Sequence, residues 1–427
     1  MINKIRKIIS DVFFDANEKV FLKKKPNIIL VQIIPSYYEF NIINESLKRY
    51  GTKNDSIIIG FIPKLKFYCL RDFLKLKFVV SYFNNYLLIA KWKKLYGKIG
   101  VAKFISDNNS FNFLCFSRAI KVFKNLKKKE DVINIKYNEL IIGDLIYDGY
   151  VRYFNSPTIK LDYKLLTMLH YSILLYHKID SLNIKYDIKY FITNYTNYNN
   201  SGIPVRKLLS NGIKTFAVGH DLNPFKELSI ENFKRGPNHL QYNLEFSNLA
   251  SKSEKIELGL KKLLSRLSGE VDLKYMRKSS FNNSNESFKQ VEGVVFLHDF
   301  FDAQHIYEEL VFNDFYEWTI FILELIRTHK LSIGVKPHIN QLTESEKVVK
   351  KLIKQYPDIN WISPSVSNKE IFKKIKFGVT CYGTVISELA YNNILPICCG
   401  DNPTASFNFS IRSRSIIEHE YHILNYK

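Results

Sequence analysis

The stretch from Leu331 to Phe407 alternates short apolar runs with amphipathic segments. It opens on Leu331-Ser-Ile-Gly-Val-Lys-Pro-His338. Phe377-Gly-Val-Thr-Cys-Tyr-Gly-Thr-Val-Ile-Ser-Glu388 and Ile394-Leu-Pro-Ile-Cys-Cys-Gly400 follow. The apolar runs are too brief for helices, and helical patterns separate them, which predicts parallel βαβ units. In sheets of that kind ligands sit at the carboxyl ends of the strands. Lys336, His338, Gly383 and Thr384 fall where strands should end. Their convergence predicts an enzyme that handles a phosphate-bearing donor.

The chemistry suits those residue types. Gly383 and Thr384 precede a helical run, so backbone N–H groups and the Thr384 hydroxyl are placed to meet an anion. Gly383 also permits close approach. Lys336 and His338 supply charge and a proton donor for a leaving phosphate. Glu388, one turn into the helix, is placed for a ribose hydroxyl. Gly-Thr and Lys-Pro-His are weak signals singly, and a plain β-α connection is the alternative. Their order within one βαβ series carries the reading.

The 427 residues fit two domains. Hydrophobic residues at 46% and aromatics at 15% are enough for sizeable cores and exclude disorder by composition. No window reaches 18 uninterrupted apolar residues. The nearest, Phe78 to Ala90, is broken by Asn84 and Asn85. Asp11 and Asp15 interrupt any signal-peptide core, so the expected location is cytoplasmic. Five scattered cysteines show no zinc spacing, and neither a metal nor a cofactor is expected.

The formal charge of +21 is uneven. Residues 1–130 hold 26 Lys or Arg against 9 Asp or Glu. That asymmetry points to an anionic partner, either an acidic membrane face or an anionic substrate. Nucleic acid is set aside because no binding module appears. The accompanying richness in Lys, Asn, Ile, Phe and Tyr also fits an AT-biased genome, which would produce lysines without selection.

In chain order, residues 1–25 read as a basic amphipathic helix, for an anionic membrane surface or for packing. Asn27 to Ile34 is a buried strand, with Tyr37 in the loop at its end. Ser56 to Phe61 is a second strand, and from there to about Lys129 the pattern is helical and basic. Asn138 to Arg152 carries Asp144, Asp148 and Arg152 at helical spacing in an apolar stretch. One of the carboxylates is a general base, or the set is an i,i+4 pairing that supports a helix. Leu161 to Ile179 is a core helix in which His170 and His177 pack. A strand at 190–194, a polar loop at 195–202, a helix at 204–211 and a strand at 215–218 follow. His220 and Asp221 lie at that last strand's end and are site candidates by position.

Residues 230–290 lose the strand pattern, and a linker is expected at about 270–288. The expected domains are 1–285 and 289–427, with the last residues packing back on the first. Gly293 to Leu297 begins the second domain. His298 then opens a crowd of ionisable side chains suited to substrate or nucleotide rather than metal. Asp314 to Thr328 is a helix.

Lys336-Pro-His338, Trp361-Ile-Ser with Val366-Ser-Asn368, Thr380 to Glu388 and Gly400-Asp-Asn-Pro403 together resemble the C-terminal nucleotide-sugar domain of bacterial surface-polysaccharide glycosyltransferases. These are GT-B enzymes of capsule, lipopolysaccharide and O-antigen assembly, including Kdo and sialic-acid transferases. Gly143 to Asp148 with Arg152 is similar to a motif of their N-domain. The resemblance implies an α/β chain of two Rossmann-like domains with a cleft between them. It implies inverting, metal-independent transfer from a nucleotide sugar, CMP-linked, to a glycan or lipid-linked acceptor at the inner membrane face. His338 would contact the donor phosphate, with Lys336, Tyr382, Gly383, Thr384, Glu388 and His298 around the donor. Asp148 first, then Asp144, would be the base, and Arg152, Tyr37, His220 and Asp221 would meet the acceptor. Many relatives have a second proline after Lys-Pro-His, whereas Ile339 and Asn340 stand here. A CDP-polyol phosphotransferase of teichoic-acid type and a non-catalytic glycan- or membrane-binding scaffold are the rival readings.

Overall fold

The computed structural model describes residues 27–50, 56–64, 76–107, 111–219, 225–236, 239–270, 278–281, 286–306, 309–402 and 404–426. The amphipathic segment 1–25, His220 and Asp221 lie outside them, as does most of the expected linker. By contacts the chain forms two compact units, one of residues 1–149 and 160–235, the other of 150–159 and 236–427.

The first unit begins β1 (Asn27–Gln32), α1 (Tyr37–Tyr50), β2 (Ser56–Ile62), α2 (Leu76–Gly97), β3 (Val101–Ser106) and α3 (Phe113–Lys124). It continues α4 (Gly143–Phe154), α5 (Tyr163–Tyr186), β4 (Ile188–Thr193), α6 (Tyr198–Ser210), β5 (Lys214–Val218) and β6 (Phe225–Leu228). Strand order is β3-β2-β1-β4-β5-β6, all parallel except the β5–β6 pair. β1 is central, and five of its six residues are buried. That is why its sequence is a continuous apolar run rather than an alternating one. Ile29, Val31, Trp92, Tyr96 and Val218 share one core beside it.

β3 was expected to be helix. It is an edge strand whose Lys103 breaks the apolar run, the charge that such edges commonly carry. The expected polar loop 195–202 is in large part helix, because α6 starts at Tyr198 and buries Asn199, Asn200, Ser201 and Gly202. There Gln32 Nε2 donates to Ser201 Oγ at 2.7 Å and Asn200 Nδ2 to the Lys64 carbonyl at 2.8 Å. Polar side chains are buried here because each finds a partner.

The second unit holds α7 (Tyr242–Ser247), α8 (Lys252–Leu267), β7 (Gly293–Phe296), α9 (Phe315–His329), β8 (Ile333–Lys336) and α10 (Thr343–Gln355). After these come β9 (Asn360–Trp361), α11 (Asn368–Phe372), β10 (Phe377–Thr380), α12 (Val385–Tyr391), β11 (Leu395–Cys398), β12 (Ile411–Arg412) and α13 (Ile416–Leu424). Strand order is β9-β8-β7-β10-β11-β12, wholly parallel. In each unit the order read in chain sequence is 3-2-1-4-5-6, the doubly wound Rossmann order. The chain is therefore α/β with two Rossmann-like units. Gly293 lies opposite Phe377 in the register, and a Cβ there would meet the Phe377 ring at 2.3 Å.

Two boundaries differ from expectation. The contact division falls at 235/236 rather than at 285, because α7 and α8 go with the second unit. The last turn of α4 also goes with it: Arg152 Nη1 donates to the Phe301 carbonyl at 3.4 Å and Thr158 Oγ1 to Asp314 Oδ2 at 2.5 Å. The chain's end packs inside the second unit. Trp318 Nε1 donates to His419 Nε2 at 3.1 Å, and Tyr426 stacks on Phe377 with ring centres 4.0 Å apart.

Candidate functional site

The carboxyl ends of β7, β8 and β10 surround a cavity of about 230 Å³. Each strand ends and hands over to a loop there, so side chains far apart in sequence converge. β7 delivers His298, β8 delivers Lys336 and His338, and the β10–α12 turn delivers Thr380, Tyr382, Gly383, Thr384 and Glu388. All seven residues assigned to the donor from sequence line this one cavity. Asn368 enters from α11 and Arg266 from the last turn of α8.

The floor is an ionic network. Lys336 is buried, and its Nζ donates to Asn368 Oδ1 at 2.5 Å. Burial pushes the ammonium down to about 8, with Glu388 opposing. Arg266 Nε donates to Glu388 Oε1, and its Nη2 donates to Thr384 Oγ1 at 3.0 Å. Burial raises the Glu388 carboxyl, while Arg266, Asn368 and Lys336 hold it down. Glu388 is thus ion-paired with Arg266 in the floor of the cavity it was expected to line. Thr384 heads a short helix without capping it, and its hydroxyl serves Arg266 instead.

The two histidines differ. His298 lies flat on Phe315, ring centres 4.5 Å apart, and burial, then His338, drives it down to about 3. It is neutral at pH 7. Its Nε2 faces Thr380 Oγ1 at 3.0 Å and the Tyr382 N–H at 3.5 Å. A backbone N–H can only donate, so Nε2 accepts and the proton sits on Nδ1. His338 is exposed at the cavity mouth. Its Nδ1 accepts from the Asn340 N–H at 3.2 Å, which leaves Nε2 as the N–H of the neutral ring. Surrounding protein depresses its proton affinity, Asp299 opposes, and Lys336 and Arg266 add to the depression.

The Lys-Pro-His turn is held without a second proline. The Asn340 side chain accepts from the Lys278 N–H at 2.9 Å and donates to the Lys278 carbonyl at 2.7 Å. Asp299 organises the same corner, accepting from the Phe301 and Leu342 amides and the Ser345 hydroxyl.

No family model matches the chain, and no curated protein matches it in sequence. Solved structures match it at low identity. UDP-GlcNAc 2-epimerase of Methanocaldococcus jannaschii, in complex with UDP-GlcNAc and UDP, is 12% identical, covers 93% of this chain and 91% of its own, and has a TM-score of 0.31. KpsC of Thermosulfurimonas dismutans, a beta Kdo 2,7 transferase, is 11% identical, with 58% and 78% covered and a TM-score of 0.32. Anabaena Alr3699/HepE, in complex with UDP and glucose, is 9% identical, with 93% and 88% covered and a TM-score of 0.27. The fold assignment rests on the strand order of the two sheets.

Asp144, Asp148, Arg152 and Tyr37 do not line this cavity. Asp144 is bound on both oxygens by Arg206, at 2.7 and 2.5 Å, and the guanidinium also covers Phe233. That bidentate pairing ties Asp144 on its helix to Arg206 on α6. Asp148 is buried on the same helix. Arg152 contacts the Phe301 carbonyl in the second unit. Tyr37 is exposed and packs on Trp92, ring centres 5.0 Å apart.

Sequence reasoning passed over Arg266, because the strand pattern lapses in its segment. The sequence places Ser36 to Glu39 at the end of β1, where a substrate loop would lie, but the polar cluster that Glu39 forms there is not foreseen. Glu39 is buried there, accepts from Asn194 Nδ2 at 2.7 Å and is raised by burial, with Arg235 opposing. Gly219, at φ 128°, leaves room beside it. Asn194 and Arg235, which complete the cluster, carry no such signal in the sequence. Among the described residues no His, Cys, Asp and Glu cluster could hold a metal ion.

Proposed function

We propose that the chain is a glycosyltransferase that uses a nucleotide sugar, with the donor phosphates in the cavity of the second unit. The observation that carries this is the meeting of Lys336, His338 and Arg266 at the carboxyl edge of a Rossmann-like sheet. Three cationic or N–H-bearing side chains there suit an anion. A second cavity, of about 700 Å³, shares Pro337 and Ile339 with the first and is lined by Trp361, Ile362, Ser363 and Ser365. An aromatic, apolar wall with hydroxyls beside a phosphate site suits a nucleoside.

In the reaction an acceptor hydroxyl loses its proton to a carboxylate and attacks the anomeric carbon. The bond to the nucleotide phosphate breaks, and the phosphate leaves with the electron pair. Lys336 and Arg266 stabilise the charge that develops on it, and His338 Nε2–H donates a hydrogen bond to it. Stabilisation of that kind is commonly the largest single contribution to catalysis. Asp148 and Glu39, both buried in the first unit, are the candidates for the base. A CMP-linked donor, an inverting outcome, a surface-glycan or lipid-linked acceptor and peripheral attachment to the inner membrane face belong to the same proposal.

A thermal-shift panel with CMP, CDP, UDP, GDP and ADP on the wild type and His338→Ala tests it. Saturation at about 100 times Kd adds about 2.7 kcal/mol. A shift with CMP that the substitution abolishes supports the Kdo- or sialic-acid-type donor. UDP or GDP would replace the donor, CDP would favour polyol-phosphate transfer, and no shift would favour a scaffold.

A further inference from the structure

Another cavity, of about 760 Å³, opens beside β12, at the edge of the second unit's sheet. β12 pairs with β11 so that Arg412 lies opposite Cys398, and the Ser413 N–H donates to the Cys398 carbonyl at 2.8 Å. Arg412 therefore ends β12 on the carboxyl edge of the sheet, where folds of this kind take ligands. It lines the cavity together with Arg414 and Glu309. The Arg412 side chain is largely buried and pairs with Glu309, which is half-exposed. Burial, then the charge of Arg414, holds the Arg412 guanidinium below its usual range. Arg414 is exposed. Glu418 accepts from the Arg414 backbone N–H at 2.7 Å and is not part of the lining. Two guanidiniums against one carboxylate leave the wall with a surplus of positive charge.

The rest of the wall is polar and mixed. Asn243, from α7, donates its backbone N–H to Ser406 Oγ at 3.1 Å, and its Oδ1 accepts from the Leu244 N–H at 2.8 Å. That leaves the Asn243 NH2 group and the Ser406 hydroxyl as donors, and the exposed Asn408 lines the same cavity. Glu309 supplies an acceptor. Phe407 and Phe409 alternate in sequence with Ser406 and Asn408 and stack with ring centres 5.9 Å apart. Phe246 of α7 meets Phe407 at 6.3 Å. Phe409 and Phe246 are 45% and 39% exposed. The two segments that carry the polar wall thus also carry an exposed aromatic ledge.

A bare inorganic anion would leave most of this volume empty and would be repelled by Glu309. A ring that bears hydroxyls uses donors and acceptors alike and offers C–H faces to aromatic side chains. An acidic substituent on it answers the surplus of positive charge, in the forked geometry that guanidinium and carboxylate share. We infer that this cavity is a binding site for a saccharide that carries a carboxylate. Neither Tyr37 nor Arg152 lines it. β12 stands two strands from β10, whose end lies at the donor cavity, or about 10 Å at ordinary strand spacing. On the glycosyltransferase reading, on which this role rests, the cavity holds the acceptor glycan a short way along its chain from the reacting hydroxyl.

The test is titration calorimetry of the full chain, without nucleotide. The probes are tetragalacturonate, its methyl ester, which keeps the rings and loses the charge, and inorganic phosphate. Tetragalacturonate should bind, and the ester should bind about tenfold more weakly, the worth of one hydrogen bond to a charged group. Arg414→Gln should lower affinity for the acid by about the same factor. Its melting temperature should match the wild type, because the side chain is exposed. Phe409→Ala should weaken acid and ester alike. Lys124→Gln, which removes an exposed charge from the first unit, and His338→Ala, at the mouth of the donor cavity, should both bind the acid as the wild type does. Absence of tetragalacturonate binding at millimolar concentration would overturn the inference, as would equal binding of acid and ester. An equal loss in Lys124→Gln and Arg414→Gln would reduce the binding to diffuse charge and overturn it too. A loss in His338→Ala would move the acid to the donor cavity, and phosphate that binds as tightly as the tetramer would make this a bare anion site; either result overturns the saccharide assignment. The nucleotide panel depends on His338 and not on Arg414, so each reading can fail while the other stands.

Discussion

Arg266 donates to Thr384 Oγ1 at 3.0 Å across 118 positions of the chain. The same guanidinium holds Glu388, so one side chain from α8 joins the hydroxyl and the carboxylate at the two ends of α12's first turn.

Arg266→Ala should damage the fold and the site together. It leaves Glu388 buried next to Lys336 without its main partner, at a cost of about 3 kcal/mol. Arg266→Lys keeps the charge but not the fork, so stability should be partly restored. Denaturant titration of the three proteins measures the order, and nucleotide affinity should follow it.

Lys336 ties nucleotide binding to pH. Its ammonium sits near 8 when folded and at 10.5 in a free lysine. Affinity for a nucleotide diphosphate should therefore fall as pH rises through about 8. Stability should move the other way. The folded chain holds this proton less tightly than the unfolded chain, so stability rises between about 8 and 10.5 and is lost as pH falls back through 8. Lys336→Met should bind weakly at every pH and show neither slope from this group, as calorimetry from pH 7 to 10 would read.

His338→Ala should leave the melting temperature unchanged, because the ring is exposed at the mouth. Nucleotide affinity should fall about tenfold, the worth of one hydrogen bond to a charged group. His298→Ala removes a ring stacked on Phe315 and should lower stability as well. Titration calorimetry beside thermal melts separates the two histidines.

The carboxylates of the first unit should divide by role. Asp144→Asn strands the buried Arg206 and should cost about 3 kcal/mol with turnover per folded molecule kept. Glu39→Gln keeps shape and the contact with Asn194 and should abolish turnover if Glu39 is the base. Asp148→Asn makes the corresponding claim for Asp148. Rate against pH in the surviving variants identifies which carboxylate sets the acid limb.

Much of the second unit could be read in the sequence. Its strands are short continuous apolar runs because both faces are covered, and that pattern survives in one dimension. The residues that close each strand follow at once, so Lys336, His338, Gly383 and Thr384 could be placed on one edge before any coordinates. Local order also predicted that His170 and His177 would pack. His170 does so on Phe111 and Phe116, and His177 does so against Tyr137.

Other assignments depended on contacts that no local pattern encodes. β3 has a lysine in its middle, and only its pairing with β2 makes it a strand. Asp144 and Asp148 share a helical spacing, but only the fold brings Arg206 onto Asp144. Arg266 lies in a segment without strand periodicity, and its role exists only where α8 ends beside α12. The alternation of strand and helix and the chemistry at the strand ends are legible in one dimension, because both are set by neighbours in the chain. Tertiary structure decided which charges are paired and which are left for a ligand. Pairing depends on distance in space, which for Arg266 and Thr384 is a few ångströms across more than a hundred residues.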